Sequence, residues 1–175
     1  MRNGDWIQTY TGKKFYPLDP RPSDIDLSDI AHALALTCRF NGHCRKFYCV
    51  AQHCVLMAEW DLPGSKQWRL FHDAAEAYIH DVPRPVKGML PGYKDMENII
   101  LSCIGDKFAL GLMDHDDIGK SDLIMLSIEK RDLLGPGPRW ELKLPHPPAD
   151  YVIDPWGWKY AEERFLDMAC EVLPL

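Results

Sequence analysis

Leu70-Phe71-His72-Asp73-Ala74-Ala75-Glu76 sets three polar groups into an otherwise apolar helical run. The run is predicted as a helix over Gln67 to Ile79, halted before Pro83 and Pro85. Adjacent histidine and aspartate side chains can meet at one metal ion only if both turn towards the same point. An imidazole beside a carboxylate is a donor pair suited to a first-row divalent ion. Glu76 follows His72 by four residues and Asp73 by three, which puts it on the same helix face, where a carboxylate could orient an attacking water. Taken alone, such a doublet is more often a cap, an ion pair or a satisfied core histidine.

Two further segments share this character. A helix expected from about Ala51 to Trp60 carries His53 within Val50-Ala51-Gln52-His53-Cys54-Val55-Leu56-Met57, where a histidine needs a buried partner. A helix expected from about Ile118 to Leu134 carries Asp122 at its start, where the bland reading is a first-turn acid favoured by the helix dipole. Three polar interruptions on three apolar helices can converge on one site in a helical bundle. The rest of the chain supplies the bundle. Asp26-Leu27-Ser28-Asp29 opens a helix that Asn41-Gly42 breaks, Tyr93 to Leu112 is long and periodic, and Trp158 to Val172 closes the chain. Aromatic and β-branched residues around Thr11-Gly12 predict a small hairpin within 6–18, and the proline-rich stretch 139–157 is expected to be irregular. The expected fold is therefore all-α, a single domain over 1–175 with about six helices and a small N-terminal β-hairpin.

The 175 residues carry a formal net charge of −6, which argues against a general binder of polymeric nucleic acid. Any phosphate ligand must then be held by a metal or by a local cluster of positive charge. Two such clusters are present. Arg39, Arg45 and Lys46 lie in a stretch without an acid from 39 to 58, and Arg84, Lys87 and Lys94 lie in another from 82 to 94. No apolar stretch is long enough to span a membrane, and the opening residues Met1 to Trp6 lack the apolar core of a signal peptide, so a cytoplasmic protein is expected. Six cysteines without a C-x-x-C pair are expected to be reduced and mostly buried. Asp114-His115-Asp116-Asp117 is read as helix-capping acids rather than as a metal cluster.

The order His53 … His72-Asp73 … Asp122 resembles the HD-domain phosphohydrolases, whose defining pattern is H…HD…D on a helical scaffold. Val50-Ala51-Gln52-His53, His72-Asp73-Ala74-Ala75-Glu76, the run Asp81-Val82-Pro83-Arg84-Pro85-Val86-Lys87, and Tyr93-Lys94 with Glu97 are similar to the branch that contains bacterial 5′-deoxynucleotidases. With Cys38-Arg39-Phe40-Asn41-Gly42-His43 and the N-terminal Thr-Gly hairpin, the same string also resembles compact phage and prophage members, including phage dATP triphosphohydrolases. The resemblance covers roughly residues 6–134.

The resemblance implies that His53, His72, Asp73 and Asp122 bind a divalent metal ion, with Zn, Co or Mn favoured and Mg a further choice. It implies that Glu76 handles the attacking water and its proton and that Asp81 is a second catalytic acid. Arg39 and Lys87 are the expected phosphate contacts, with Phe40 and His43 beside them on the substrate side. His80 is expected at the surface. Phe40 stands where that branch commonly has tryptophan, and its spacing to His53 is about one residue shorter, which leaves the base preference open. The expected function is hydrolysis of a deoxynucleotide, dATP or another dNTP first, releasing deoxynucleoside and triphosphate. A 5′-deoxynucleotidase acting on dNMP is the alternative within the same chemistry, and a non-enzymatic, metal-bound nucleotide sensor is the alternative outside it. Relatives often form oligomers, so a homo-oligomer is expected, with no membrane partner.

Overall fold

The computed structural model describes residues 2–174. A two-stranded antiparallel hairpin, β1 (Ile7–Gln8) and β2 (Lys14–Phe15), precedes eight α-helices. These are α1 (Leu27–Leu36), α2 (Val50–Glu59), α3 (Lys66–Phe71), α4 (Glu76–Ile79), α5 (Arg84–Lys87), α6 (Tyr93–Phe108), α7 (His115–Asp132) and α8 (Trp158–Val172). The protein is thus mostly helical with one hairpin. Among the described residues, no helix is long and apolar enough to cross a membrane.

Helix α2 is the centre of the bundle. Residues 50–58 are all buried, because α8, α3, α1 and α7 pack around it. Phe165 of α8, Phe71 of α3, Ile30 and Leu34 of α1, Met57 of α2 and Met125 of α7 form the buried floor of this packing. The irregular stretch 139–157 is fastened across the bundle by polar contacts. Buried Gln52 donates from Nε2 to the Asp154 carbonyl at 2.8 Å and accepts the Trp156 amide on Oε1 at 2.8 Å. Tyr151 stacks on Trp60 with ring centroids 4.6 Å apart. Trp158 stands edge-on to His32 of α1, with ring centroids 6.0 Å apart.

Several boundaries differ from the sequence expectation. The first helix ends at Leu36, five residues before Asn41-Gly42, because Thr37 turns extended and Cys38 pairs with Cys49 in an isolated antiparallel bridge. The helix expected over Gln67 to Ile79 is two helices, α3 and α4, joined by a turn at 72–75. Across that turn the bonds tighten to three-residue spacing, with the Ala74 amide on the Phe71 carbonyl and the Glu76 amide on the Asp73 carbonyl, each at 2.9 Å. Helix α7 begins at His115 rather than Ile118. Asp114 caps it by accepting from the Asp116 and Asp117 amides, as the capping reading of these acids requires. Helix α6 ends at Phe108, and the short helix α5 follows the halt expected before Pro83, since proline at its second position leaves no intrahelical bond unmade.

Because α8 seals α1 and α2 through Phe165, truncating that ring removes the joint. A Phe165→Ala variant is expected to lose about 3–5 kcal/mol of stability, read as a lower urea midpoint with an unchanged slope.

Candidate metal and phosphate site

The turn between α3 and α4 turns His72 and Asp73 towards α2 and α7. His72 Nδ1 lies 3.0 Å from the Arg69 carbonyl. A carbonyl only accepts, so Nδ1 carries a hydrogen and Nε2 is the nitrogen turned towards the cluster. His53, fully buried on α2, has Nδ1 2.7 Å from Oε1 of Glu129, and the carboxylate fixes the same tautomer there. The two Nε2 atoms face each other at 3.3 Å. Asp73 Oδ2 is 3.2 Å from His72 Nε2 and 3.7 Å from His53 Nε2, and Asp122 Oδ1 is 3.6 Å from His53 Nε2.

Metal–ligand bonds of about 2.0–2.2 Å place neighbouring donors on the order of 3–3.5 Å apart. At the observed spacings a shared proton or a cation between them would satisfy both nitrogens. His53, His72 and Asp122 meet the geometry of a metal-holding group, and so do Cys54, His72 and Asp73. The four ligands expected from the sequence therefore gather at one place, and Cys54 adds a thiol beside them. Burial grades the site from a closed imidazole side to an open carboxylate side: the side chains of His53, Asp73 and Asp122 are 0%, 19% and 34% exposed. Asp122 sits two turns into α7, so a first-turn dipole role does not account for it.

No protein-family model matches the chain. It is 43% identical over 136 residues to the uncharacterized protein YfdR of Escherichia coli (strain K12), a match covering 77% of this chain and 76% of that protein. The chain belongs to the YfdR family. An uncharacterized protein of Rhodobacter capsulatus is 35% identical over 115 residues, covering 60% of this chain and 59% of its own length.

In this member of the YfdR family the guanidinium of Arg39 spans the acids of the site. It lies 3.3 Å from Asp73 Oδ2, 3.0 Å from Glu129 Oε2 and 4.0 Å from Asp122 Oδ1. Arg39 Nε is buried without a hydrogen-bond partner, which leaves one donor unspent. Its loop turns sharply: Phe40 and Asn41 hold positive φ of 53° and 50°, and Gly42 follows at 77°. Two non-glycine residues in the left-handed region are a strained arrangement, of the kind found where the chain must aim a side chain. Arg39, Arg45 and Lys46 line a cleft of 190 Å³ with Phe47 and Tyr48. A larger cleft of 710 Å³ runs along 139–144 but includes none of the clustered histidines or aspartates, so its size does not mark the site.

The remaining expected residues divide. Buried Glu76 has Oε2 without a partner and Oε1 3.9 Å from Lys87 Nζ. Lys87 itself is held by Glu97 at 2.8 Å. Its ammonium therefore faces the acids, and its role as a phosphate contact requires that pair to open. Asp81 is half-buried, next to His80, which is exposed and held at a positive φ of 69° with its carbonyl accepting from the Tyr93 hydroxyl at 2.7 Å. Phe40 lies beside the guanidinium, 5.6 Å from its carbon to the ring centroid. His43 is exposed, and among the described residues no hydrogen bond or ion pair joins its side chain to the cluster. Glu129, fully buried, is the site residue that sequence reasoning passed over. Its spacing was a signal: it follows Asp122 by seven residues, two turns along one face of α7.

Charge shifts follow the packing. Burial opposes the charge of His72, yet Asp73 against it holds the imidazolium, and the net effect raises its pKa well above the usual value. Burial also opposes the charge of Asp73, but His72, His53 and Arg39 hold its pKa below the ordinary carboxylate range. In Glu129, burial is outweighed by Arg39 and His53, and the pKa is lowered to about 2. Glu76 goes the other way: burial first, then the nearby charges of Asp73 and Asp81, push its pKa well above the ordinary value. A carboxyl with a raised folded-state pKa is favourable below its unfolded-state value and loses that contribution as pH rises through the folded-state value. In metal-free protein, Glu76→Gln is therefore expected to gain stability over the parent as pH increases above about 4.5, with no advantage below it. Urea midpoints measured at pH 4 and pH 8 in chelator check this; an equal gap at both values contradicts it.

Proposed function

We propose that this protein is an HD-type, metal-dependent phosphohydrolase whose substrate is a deoxynucleoside triphosphate, dATP foremost, cleaved to deoxynucleoside and triphosphate. The observation that carries this reading is the pair of imidazole Nε2 atoms facing each other at 3.3 Å, flanked by the carboxylates of Asp73 and Asp122. His53, His72, Asp73 and Asp122 are the residues that would hold the ion. When bound, a divalent cation there supplies Lewis acidity to a phosphoryl oxygen and lowers the pKa of water.

The chain's own groups supply the rest. Glu76, with its raised pKa and its unpartnered Oε2, holds a proton at that oxygen and can exchange it with an attacking water or a leaving oxygen. Asp81 raises the proton affinity of Glu76 by its charge and is the second candidate for proton handling on the same side. Arg39 offers its free Nε–H to a phosphate oxygen and is kept in place by three acids. Arg45 and Lys46, lining the cleft with Arg39, extend the positive surface beyond the reach of a single phosphate, which favours a triphosphate over a monophosphate.

The test is a panel of dNTPs and dNMPs with Co²⁺, Mn²⁺ or Zn²⁺, with the phosphate products identified. Tripolyphosphate released from dATP is the expected result. Orthophosphate from dAMP alone would move the assignment to a 5′-deoxynucleotidase, tight nucleotide binding without turnover would make the site a sensor, and no cleavage of any member sinks the substrate class. With turnover in hand, Glu76→Gln is expected to lower kcat by about 10²–10⁴-fold while leaving metal content unchanged.

A further inference from the structure

We propose that Glu129 is a positioning residue for the metal site, the acceptor that fixes His53 in the one tautomer able to offer Nε2 to a cation. The inference rests on the metal reading of the cluster and deepens it. Glu129 is fully buried on α7, two turns beyond Asp122 and on the same face, so one helix brings both a candidate ligand and the residue behind another ligand. Its Oε1 accepts from His53 Nδ1 at 2.7 Å, and its Oε2 accepts from Arg39 Nη2 at 3.0 Å.

The plain alternative is that Glu129 is a counter-ion for a buried arginine. The distances argue against that being its whole role. Arg39 already has Asp73 at 3.3 Å and Asp122 at 4.0 Å, so its charge is met without Glu129. Among the described residues, Glu129 is the acceptor for His53 Nδ1, and this is the shorter of its two contacts. His53 sits on α2 among buried apolar residues, where no water replaces a lost acceptor. Without Glu129 the imidazole can move its hydrogen to Nε2 or rotate, and either change removes a donor from the cluster. A carboxylate behind a ligating histidine also increases the basicity of the ligating nitrogen, and removing such a partner commonly weakens metal binding by about 10–100-fold.

The experiment measures Co²⁺ binding by calorimetry on the full chain, with melting in chelator as a folding control. Glu129→Met is expected to raise the Co²⁺ dissociation constant by about 10–100-fold. Glu129→Gln, whose amide oxygen still accepts from Nδ1, should fall between Met and the parent. The double variant Arg39→Met, Glu129→Met removes both buried charges together and keeps the test open if the single variant fails to fold. Under the proposal it binds Co²⁺ far more weakly than Arg39→Met alone. Co²⁺ affinity equal to the parent in Glu129→Met, or equal to Arg39→Met in the double variant, makes Glu129 a counter-ion only and overturns the assignment. A parent protein that takes up no Co²⁺ overturns the metal site itself, a separate failure.

Discussion

Two imidazole nitrogens 3.3 Å apart, with carboxylates on either flank, require a proton or a cation between them, and the rest of this protein holds them in that relation. Each ring is oriented by its other nitrogen, tied to the Arg69 carbonyl in one case and to Glu129 in the other. Those ties belong to separate helices, so the spacing at the centre is held by the packing of α2, α3 and α7. A proton can fill the gap in the metal-free protein, which is why Asp73 draws the His72 pKa upward against burial. A divalent cation there would bring more charge and could take donors from all four residues. Fold and site are in this sense one structure: the buried side of α2 that closes the core is also the side that holds His53.

The turn at 72–75 shows how local geometry meets this demand. In an uninterrupted α-helix, neighbouring side chains diverge by about 100°, and His72 and Asp73 would aim apart. The turn at 72–75 separates α3 from α4, and across it His72 Nε2 and Asp73 Oδ2 stand 3.2 Å apart. It also re-aims Glu76, which begins α4 as a separate helix and ends with one oxygen unpartnered in a buried pocket. The same logic governs the other side of the site. Consecutive left-handed residues at Phe40 and Asn41 turn the chain sharply after Arg39, whose guanidinium lies among the acids. The Arg39 loop carries left-handed backbone at Phe40 and Asn41, while the turn at 72–75 keeps right-handed helical angles at His72 and Ala75.

Much of this was legible in the residue pattern, and the parts that were not have a common cause. His53, His72 and Asp122 stood out because each breaks an apolar periodic run, and such breaks are visible one helix at a time. The closing helix Trp158–Val172 was read with both ends in place, since its amphipathic period is clear and Pro174 follows closely. The break between α3 and α4 was invisible because 72–75 contains no glycine or proline, and its reason is tertiary: the doublet must converge. Glu129 was missed because an acid between Ile128 and Lys130 near the end of a helix looks like one half of a surface pair. Only its depth, which depends on where α2 and the Arg39 loop lie, gives it a different meaning. His43 follows the left-handed turn after Arg39 and is exposed.

The charge distribution connects these features to ligand choice. A chain of net charge −6 repels extended polyanions, yet its site gathers Asp73, Asp122, Glu129 and Glu76 around a single guanidinium. An anion cannot approach that many carboxylates unless something offsets them first. Under the proposed function a cation between the histidines would offset them, and Arg39, Arg45 and Lys46, which line one cleft, would be the positive groups left to meet a phosphate. With Asp73 and Asp122 engaged by such an ion, Arg39 would lose two of its three acidic partners and could turn towards an oxyanion.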